Sequence, residues 1–185
     1  MNGGDTKPSP ADVVTFWREA GPTAWFKKDE AFDEAIRQRF LATHEAAADG
    51  RLTAWEASAE GALALLILLD QFPRNMFRGL ARMFDTDVMA RAIAAGAIVR
   101  GFDAQVPKDM KGFFYLPFEH SENLKDQERS VALCKASGDA DLLKWAEVHA
   151  DIIRRFGRFP HRNAVLGRTT TPEEQTFLDG GGFKG

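Results

Sequence analysis

The sequence predicts an all-α protein, a compact array of about seven or eight antiparallel paired helices. Three observations carry that prediction. Residues suited to helix caps, such as Ser9, Asp29, Ser58 and Thr171, recur ahead of apolar segments. Apolar residues between them recur every third or fourth position, as in Phe32, Ile36 and Phe40. No run alternates polar and apolar residues as a half-buried strand does.

Taken in order, residues 1–8 read as a loose, flexible tail, and residues 9–183 as one helical domain. Ser9-Pro10-Ala11-Asp12 opens the first helix, with a serine cap, a proline in the first turn and an acid three residues after the cap. Gly21-Pro22 is expected to stop it, leaving Trp25 and Phe26 in a loop. Asp29 caps a second helix that Gly50 closes. Ser58 caps a third, apolar on every side from Ala62 to Leu69, which is the pattern of a buried central helix. Pro73 is expected to break it. A fourth helix spans about Thr86 to Arg100 and ends at Gly101.

Ser121 or Asn123 starts the next helix, which ends at Gly138, and Gln127 or Glu128 interrupts its apolar face. Asp139 or Asp141 starts another. Its stripe of Leu142, Trp145, His149, Ile152 and Phe156 follows helical spacing until Gly157. Thr171-Pro-Glu-Glu174 is a capping box for a short last helix.

Composition narrows the function classes. A net charge of −3 argues against broad electrostatic binding of nucleic acid. Single-strand stacking on Arg155-Phe-Gly-Arg-Phe159 is a minor alternative. One cysteine, Cys134, excludes an internal disulfide and a thiolate zinc cluster, and suits a reducing compartment. The longest apolar run, Ala62–Leu69, is far shorter than the roughly 20 residues that span a bilayer. The first ten residues carry no apolar signal, so the expected location is cytoplasmic.

Polar residues in apolar places mark the candidate site. Asp70 and Gln71 close the most buried helix, where an acid faces the negative end of the helix dipole and needs a compensating partner. His149 lies on a core-facing stripe; a buried histidine there is satisfied by a carbonyl or carboxylate, or else it serves as a ligand, base or anion contact. The chain also repeats a phrase: Phe72-Pro-Arg-Asn75 and Phe159-Pro-His-Arg-Asn163. Between them lies Glu119-His-Ser-Glu122.

The acids Asp70, Glu119, Glu122 and Glu128 thus oppose Arg74, Arg78, Arg154, Arg155, Arg158, Arg162 and Arg168. Neutralised, they make an ion-pair network that needs no ligand, because the guanidinium fork grips carboxylates bidentately. In surplus, the arginines bind a phosphate or carboxylate.

Catalytic and metal templates fit poorly. His120, His149 and His161 with Glu119, Glu122 or Asp151 match no metal-ligand spacing, and nearby arginines would repel a cation, so neither metal nor cofactor is expected. Gly-x-Ser-x-Gly, Walker and Gly-x-Gly-x-x-Gly patterns are absent. Cys134 reads as a small buried hydrophobe. Acid–base work by Glu119 and His120 fits the residue types.

Several long phrases carry a resemblance. Leu68-Leu-Asp-Gln-Phe-Pro-Arg-Asn75, Phe114-Tyr-Leu-Pro-Phe-Glu-His-Ser-Glu122, Arg155-Phe-Gly-Arg-Phe-Pro-His-Arg-Asn163, Leu166-Gly-Arg168 and Thr171-Pro-Glu-Glu174 resemble the bacterial family called domain of unknown function 924. The likeness runs from about Val13 to Phe183. It implies a tetratricopeptide-repeat-like helical fold, although the chain lacks a regular period of about 34 residues. It implies no activity and assigns no catalytic residue.

The leading expectation is a pocket for an anionic small molecule or peptide carboxylate, built where the two Phe-Pro turns meet the Glu119–Glu122 loop. Its residues would be Asp70, Gln71, Arg74, Asn75, Arg78, Glu119, His120, Glu122, His149, Arg155, Arg158, His161, Arg162, Asn163 and Arg168. The alternatives are a hydrolase or transferase using Glu119 and His120, and a structural or partner-binding domain whose charges pair internally. Oligomeric state and partner are open.

Overall fold

The structure, a computed structural model, describes residues 7–184. Most of the expected tail over residues 1–8 lies outside the described residues. Every regular element among the described residues is helical. The chain divides into two compact units, Met1–Arg78 with Arg82–Pro117, and Gly79–Ala81 with Phe118–Gly185. No described helix is long and apolar enough to cross a membrane.

The first unit is organised around one rod. It comprises α3 (Ala59–Leu66), a π-turn (Ile67–Gln71) and α4 (Phe72–Met76). Residues Ala62 to Leu69 are all buried, as an all-round apolar helix requires. Against the rod pack α1 (Pro10–Trp25), α2 (Glu30–Ala48) and α5 (Asp87–Val99). Trp17, Phe40 and Phe72 fill the space between them, with edge-to-face contacts of Trp17 to Phe72 and to Phe113 at 5.6 and 5.8 Å. Each such buried side chain stabilises the fold by roughly 1.5–3 kcal/mol.

The cap signals hold at Ser9, Asp29 and Ser58, each of which accepts a backbone N–H. Two expected breaks differ. At Gly21 the torsions leave the helical region (φ 75°, ψ 172°), yet Pro22 restarts a helical turn that carries Trp25 inside α1. Trp25 is kept there because its indole N–H donates to the Trp17 carbonyl at 2.6 Å. Pro73 does not end the rod. The preceding π-turn closes with the Phe72 N–H on the Ile67 carbonyl, and Pro73 then occupies the first turn of α4, where its missing N–H costs nothing.

The second unit is a helical hairpin with a closing turn. α6 (Leu116–Glu119) crosses from one unit's sequence to the other's and delivers Glu119. Asn123 caps α7 (Leu124–Ser137), and Asp139 caps α8 (Ala140–Phe156). The two pack along each other, as a two-residue connection dictates. Gly157 sits in the left-handed region (φ 68°) and turns the chain into Phe159-Pro-His-Arg-Asn163, which forms a single 3₁₀ turn. The Thr171–Glu174 capping box then opens α9 (Pro172–Asp179). Ile152, Ile153 and Phe159 form the core, with Val148, Phe156, Phe177 and Phe183 packed around it.

Candidate functional site

The two Phe-Pro turns fall in different units, and within its own unit each places arginine and asparagine on carboxylates. In the first unit, Arg74 donates through both Nη atoms to Asp87 at 2.9 and 3.0 Å, and through Nη1 to the Asp70 backbone carbonyl at 2.5 Å. Its guanidinium also lies 3.5 Å from an Asp70 carboxylate oxygen. Asp70, 1% exposed, further accepts from the Gln71 amide at 2.6 Å. Burial opposes the charged guanidinium, but Asp70 and Asp87 outweigh it and hold the Arg74 pKa above its ordinary value. This is the compensation that an acid at the end of a buried helix needs. Asn75 and Arg78 together clasp Asp33, at 2.8 Å from each.

The second turn repeats that chemistry. Arg158 grips Glu174 bidentately at 2.6 and 2.9 Å, and Asn163 donates to the same carboxylate at 3.1 Å. The Arg158 hydrogen bond leads in lowering the Glu174 pKa to about 2. Arg168 takes Glu122 at 2.6 and 2.9 Å and the Asn163 side-chain oxygen at 3.0 Å. Glu122 also accepts the Phe159 N–H at 2.8 Å. Burial would raise the Glu122 pKa; Arg168 and that N–H overcome it and lower it. Arg155 is exposed and lies over the rings of Phe156 and Phe177. Arg154 and Glu128 are exposed as well.

The partners Asp33, Asp87 and Glu174 are missing from the residues singled out in the sequence. Glu174 was legible only as a capping residue, a role it also fills: its carboxylate accepts the Thr171 N–H at 2.8 Å. Asp33 had a local signal, since it follows Phe32 on the core-facing side of α2, where an acid needs a partner. Nothing local distinguishes Asp87 from an ordinary first-turn acid.

A different cluster gathers the histidines of the second unit. Gln127, fully buried, donates to the carbonyls of Glu119 and Ser121 at 2.6 Å each, and so pins the turn carrying Glu119 and His120 onto α7. Glu119 and His149 are 4% and 6% exposed. His149 Nδ1 lies 2.8 Å from the Trp145 carbonyl and 3.1 Å from Glu119 Oε1. A carbonyl only accepts, so Nδ1 carries the proton and Nε2 the lone pair. Burial leads in depressing the His149 pKa to about 3, aided by the charges of His120, Arg162 and His161 and opposed by the Trp145 carbonyl. Glu119 thus lies against His149, a contact that the sequence did not single out beside its acid–base candidates Glu119 and His120.

His161 follows in the same cluster. Its Nδ1 is buried and has no hydrogen-bond partner. Burial, then Arg162, lowers its pKa to about 4. The Arg162 guanidinium, 7% exposed as a residue, lies 4.4 Å from the centre of the Phe159 ring. Four ring contacts close the cluster: Phe183 to His149 at 4.5 Å, Phe183 to His161 at 5.3 Å, His149 to Phe159 at 5.5 Å and Phe159 to His161 at 5.6 Å. Cys134 is a poor nucleophile here, because burial first, and then Glu119, pushes its thiol up to about 12. Among the described residues no group of three or more histidine, cysteine, aspartate or glutamate side chains is placed to hold a metal ion.

Comparison with known proteins gives a family and no activity. A solved structure of a protein of unknown function from Agrobacterium tumefaciens is 51% identical, with a TM-score of 0.90 over 92% of this chain and 97% of that one. No curated protein matches the chain. The family model described as bacterial protein of unknown function, DUF924, matches residues 13–182. Its span covers nearly all of the folded chain, including both Phe-Pro turns, Glu119 to Glu122 and the Thr171 capping box, and the chain belongs to this family.

Proposed function

We propose that the second unit binds an anionic small molecule at His161 and Arg162, with His149 and His120 beside them. The observation that carries this reading is the buried, unpartnered Nδ1 of His161 next to a guanidinium. A buried polar atom without a partner costs free energy, and an anion there would supply an acceptor once the ring takes up a proton. Asp70, Gln71, Arg74, Asn75, Arg78, Glu122, Arg158, Asn163 and Arg168 are assigned to the scaffold, since their groups already engage one another or Asp33, Asp87 and Glu174. A separate cleft of about 540 Å³ in the first unit, beside Arg18, Glu19 and Glu60, gathers no comparable set of buried titratable groups. A cytoplasmic location belongs to the same reading, and so does a tetratricopeptide-repeat-like fold, for which the α7–α8 hairpin is the support.

The test is a calorimetric titration of the full chain with sulfate and with acetate, repeated on His161→Ala. Saturable binding to the wild type that weakens about tenfold or more in the variant is expected, the loss of one charge-assisted hydrogen bond. Equal affinities would remove His161 from the site. Bound anion raises imidazole pKa values, so the affinity should also rise as the pH is lowered from 8 to 6.

The Glu119–His149 contact favours a second reading, an acid–base enzyme acting on an anionic substrate. Nε2 of His149 is the base in that case, and Glu119 orients the ring from Nδ1. Turnover of aryl esters or aryl phosphates that disappears in both Glu119→Gln and His149→Gln supports it. Turnover unchanged in either variant rejects it.

A further inference from the structure

The segment after α9 turns back onto the histidine cluster and inserts a ring there. Gly182 makes the reversal: its N–H donates to the Phe177 carbonyl at 2.9 Å. A side chain at this position would put its Cβ 2.6 Å from both the Phe177 ring and the Phe177 carbonyl oxygen, so only glycine lets the chain pass. The turn therefore delivers Phe183 to a defined place. Its ring packs edge-on against His149 and His161 and reaches Trp145 at 6.2 Å. On the other side it joins the core group of Ile152, Ile153 and Phe159. Phe183 is only partly buried, and no regular structure holds residues 182–184. Displacing it is easier than displacing a core ring.

The slot that Phe183 fills is apolar on one wall and lined by imidazole on the other. We propose that Phe183 is a tethered occupant of the ligand site, and that the ligand is an aromatic carboxylate whose ring replaces the Phe183 ring and whose carboxylate reaches His161 and Arg162. This rests on the anion-site reading above and adds the ring to it. An inorganic anion needs only the His161 end of the site, whereas an aromatic acid must also displace Phe183. The two classes of ligand therefore respond differently to loss of the tethered ring.

The experiment is a titration of wild-type, Phe183→Ala and Gly182→Ala chains with benzoate, phenylacetate, acetate and sulfate, each variant first checked for a cooperative thermal transition. Gly182→Ala keeps the ring in the chain but blocks the turn that seats it. If the tether fills the slot about nine-tenths of the time, either variant should bind benzoate and phenylacetate about tenfold more tightly than wild type, while acetate and sulfate change little. Aromatic acids that gain nothing in either variant, or acetate that gains as much as benzoate, overturn the proposal. His161-dependent sulfate binding with no aromatic gain leaves the anion site standing and rejects the ring slot. Absence of any anion binding in all three chains rejects both.

Discussion

His149 and His161 show how a single side chain is set by what surrounds it. Both are surrounded by apolar rings, close to one another and to a guanidinium, and both are depressed, to about 3 and about 4. The unfolded chain titrates them near 6.5. Between those values the unfolded state binds more protons, so stability is complete above about pH 6.5 and falls as the pH drops towards 4. Each imidazole contributes a slope of up to about 1.4 kcal/mol per pH unit in that window. His44 adds to it, since burial lowers its pKa too. Urea unfolding at pH 7 and pH 5 should show the loss, and His161→Gln should reduce the slope; an unchanged slope would mean that His161 is not held neutral. Glu174 acts in another window. Its carboxylate is stabilised above its ordinary pKa of 4.5 and loses that contribution as the pH falls through about 2.

Among the elements, the rod of the first unit shows what local reading misses. An all-round apolar run from Ala62 to Leu69 was legible as a buried helix, and Pro73 as a break. The rod nonetheless continues, because the π-turn over Ile67–Gln71 shifts the backbone register before the proline. That turn also exposes backbone carbonyls to side chains: the Leu69 carbonyl accepts from Thr86 at 2.5 Å and the Leu68 carbonyl takes the His44 Nδ1–H at 2.9 Å. Such long-range satisfaction leaves no mark in a window of ten residues. The caps, by contrast, were legible because each is a local hydrogen bond. Arg74 ties the rod to α5 through Asp87. Removing the cation while leaving Asp70 and Asp87 buried should cost about 3–5 kcal/mol. Arg74→Met tested by equilibrium urea unfolding should show a loss of that size, and Arg74→Met with Asp87→Leu should recover part of it. A double variant no more stable than the single one would mean that the buried carboxylate is not the source of the loss.

For the molecule as a whole, the stretch from Asp151 to Arg168 looks cationic in sequence, but much of its charge is spent inside the second unit. Arg158 and Arg168 are neutralised by Glu174 and Glu122, Arg162 lies over Phe159, and only Arg154 and Arg155 are left exposed by the turn. Helix content and the repeated Phe-Pro phrase were legible because composition and order fix them. The carboxylate that each arginine meets was not, since Arg78 and Asp33 are separated by 45 residues, and Arg168 and Glu122 by 46. The same pairing sets an expectation for nucleic acid. Affinity for a strand comes from releasing its counterions through unpaired surface cations, and log affinity falls with log salt at about 0.7 per phosphate neutralised on a single strand. The net charge is −3, and with Arg158 and Arg168 on carboxylates the motif stretch offers few such contacts. A labelled single-stranded oligonucleotide should therefore show no saturable anisotropy change at about 150 mM salt. Binding with a slope of several phosphates would overturn this expectation; if the motif takes part in it, Glu174→Gln or Glu122→Gln, which leave Arg158 or Arg168 without its carboxylate, should strengthen it.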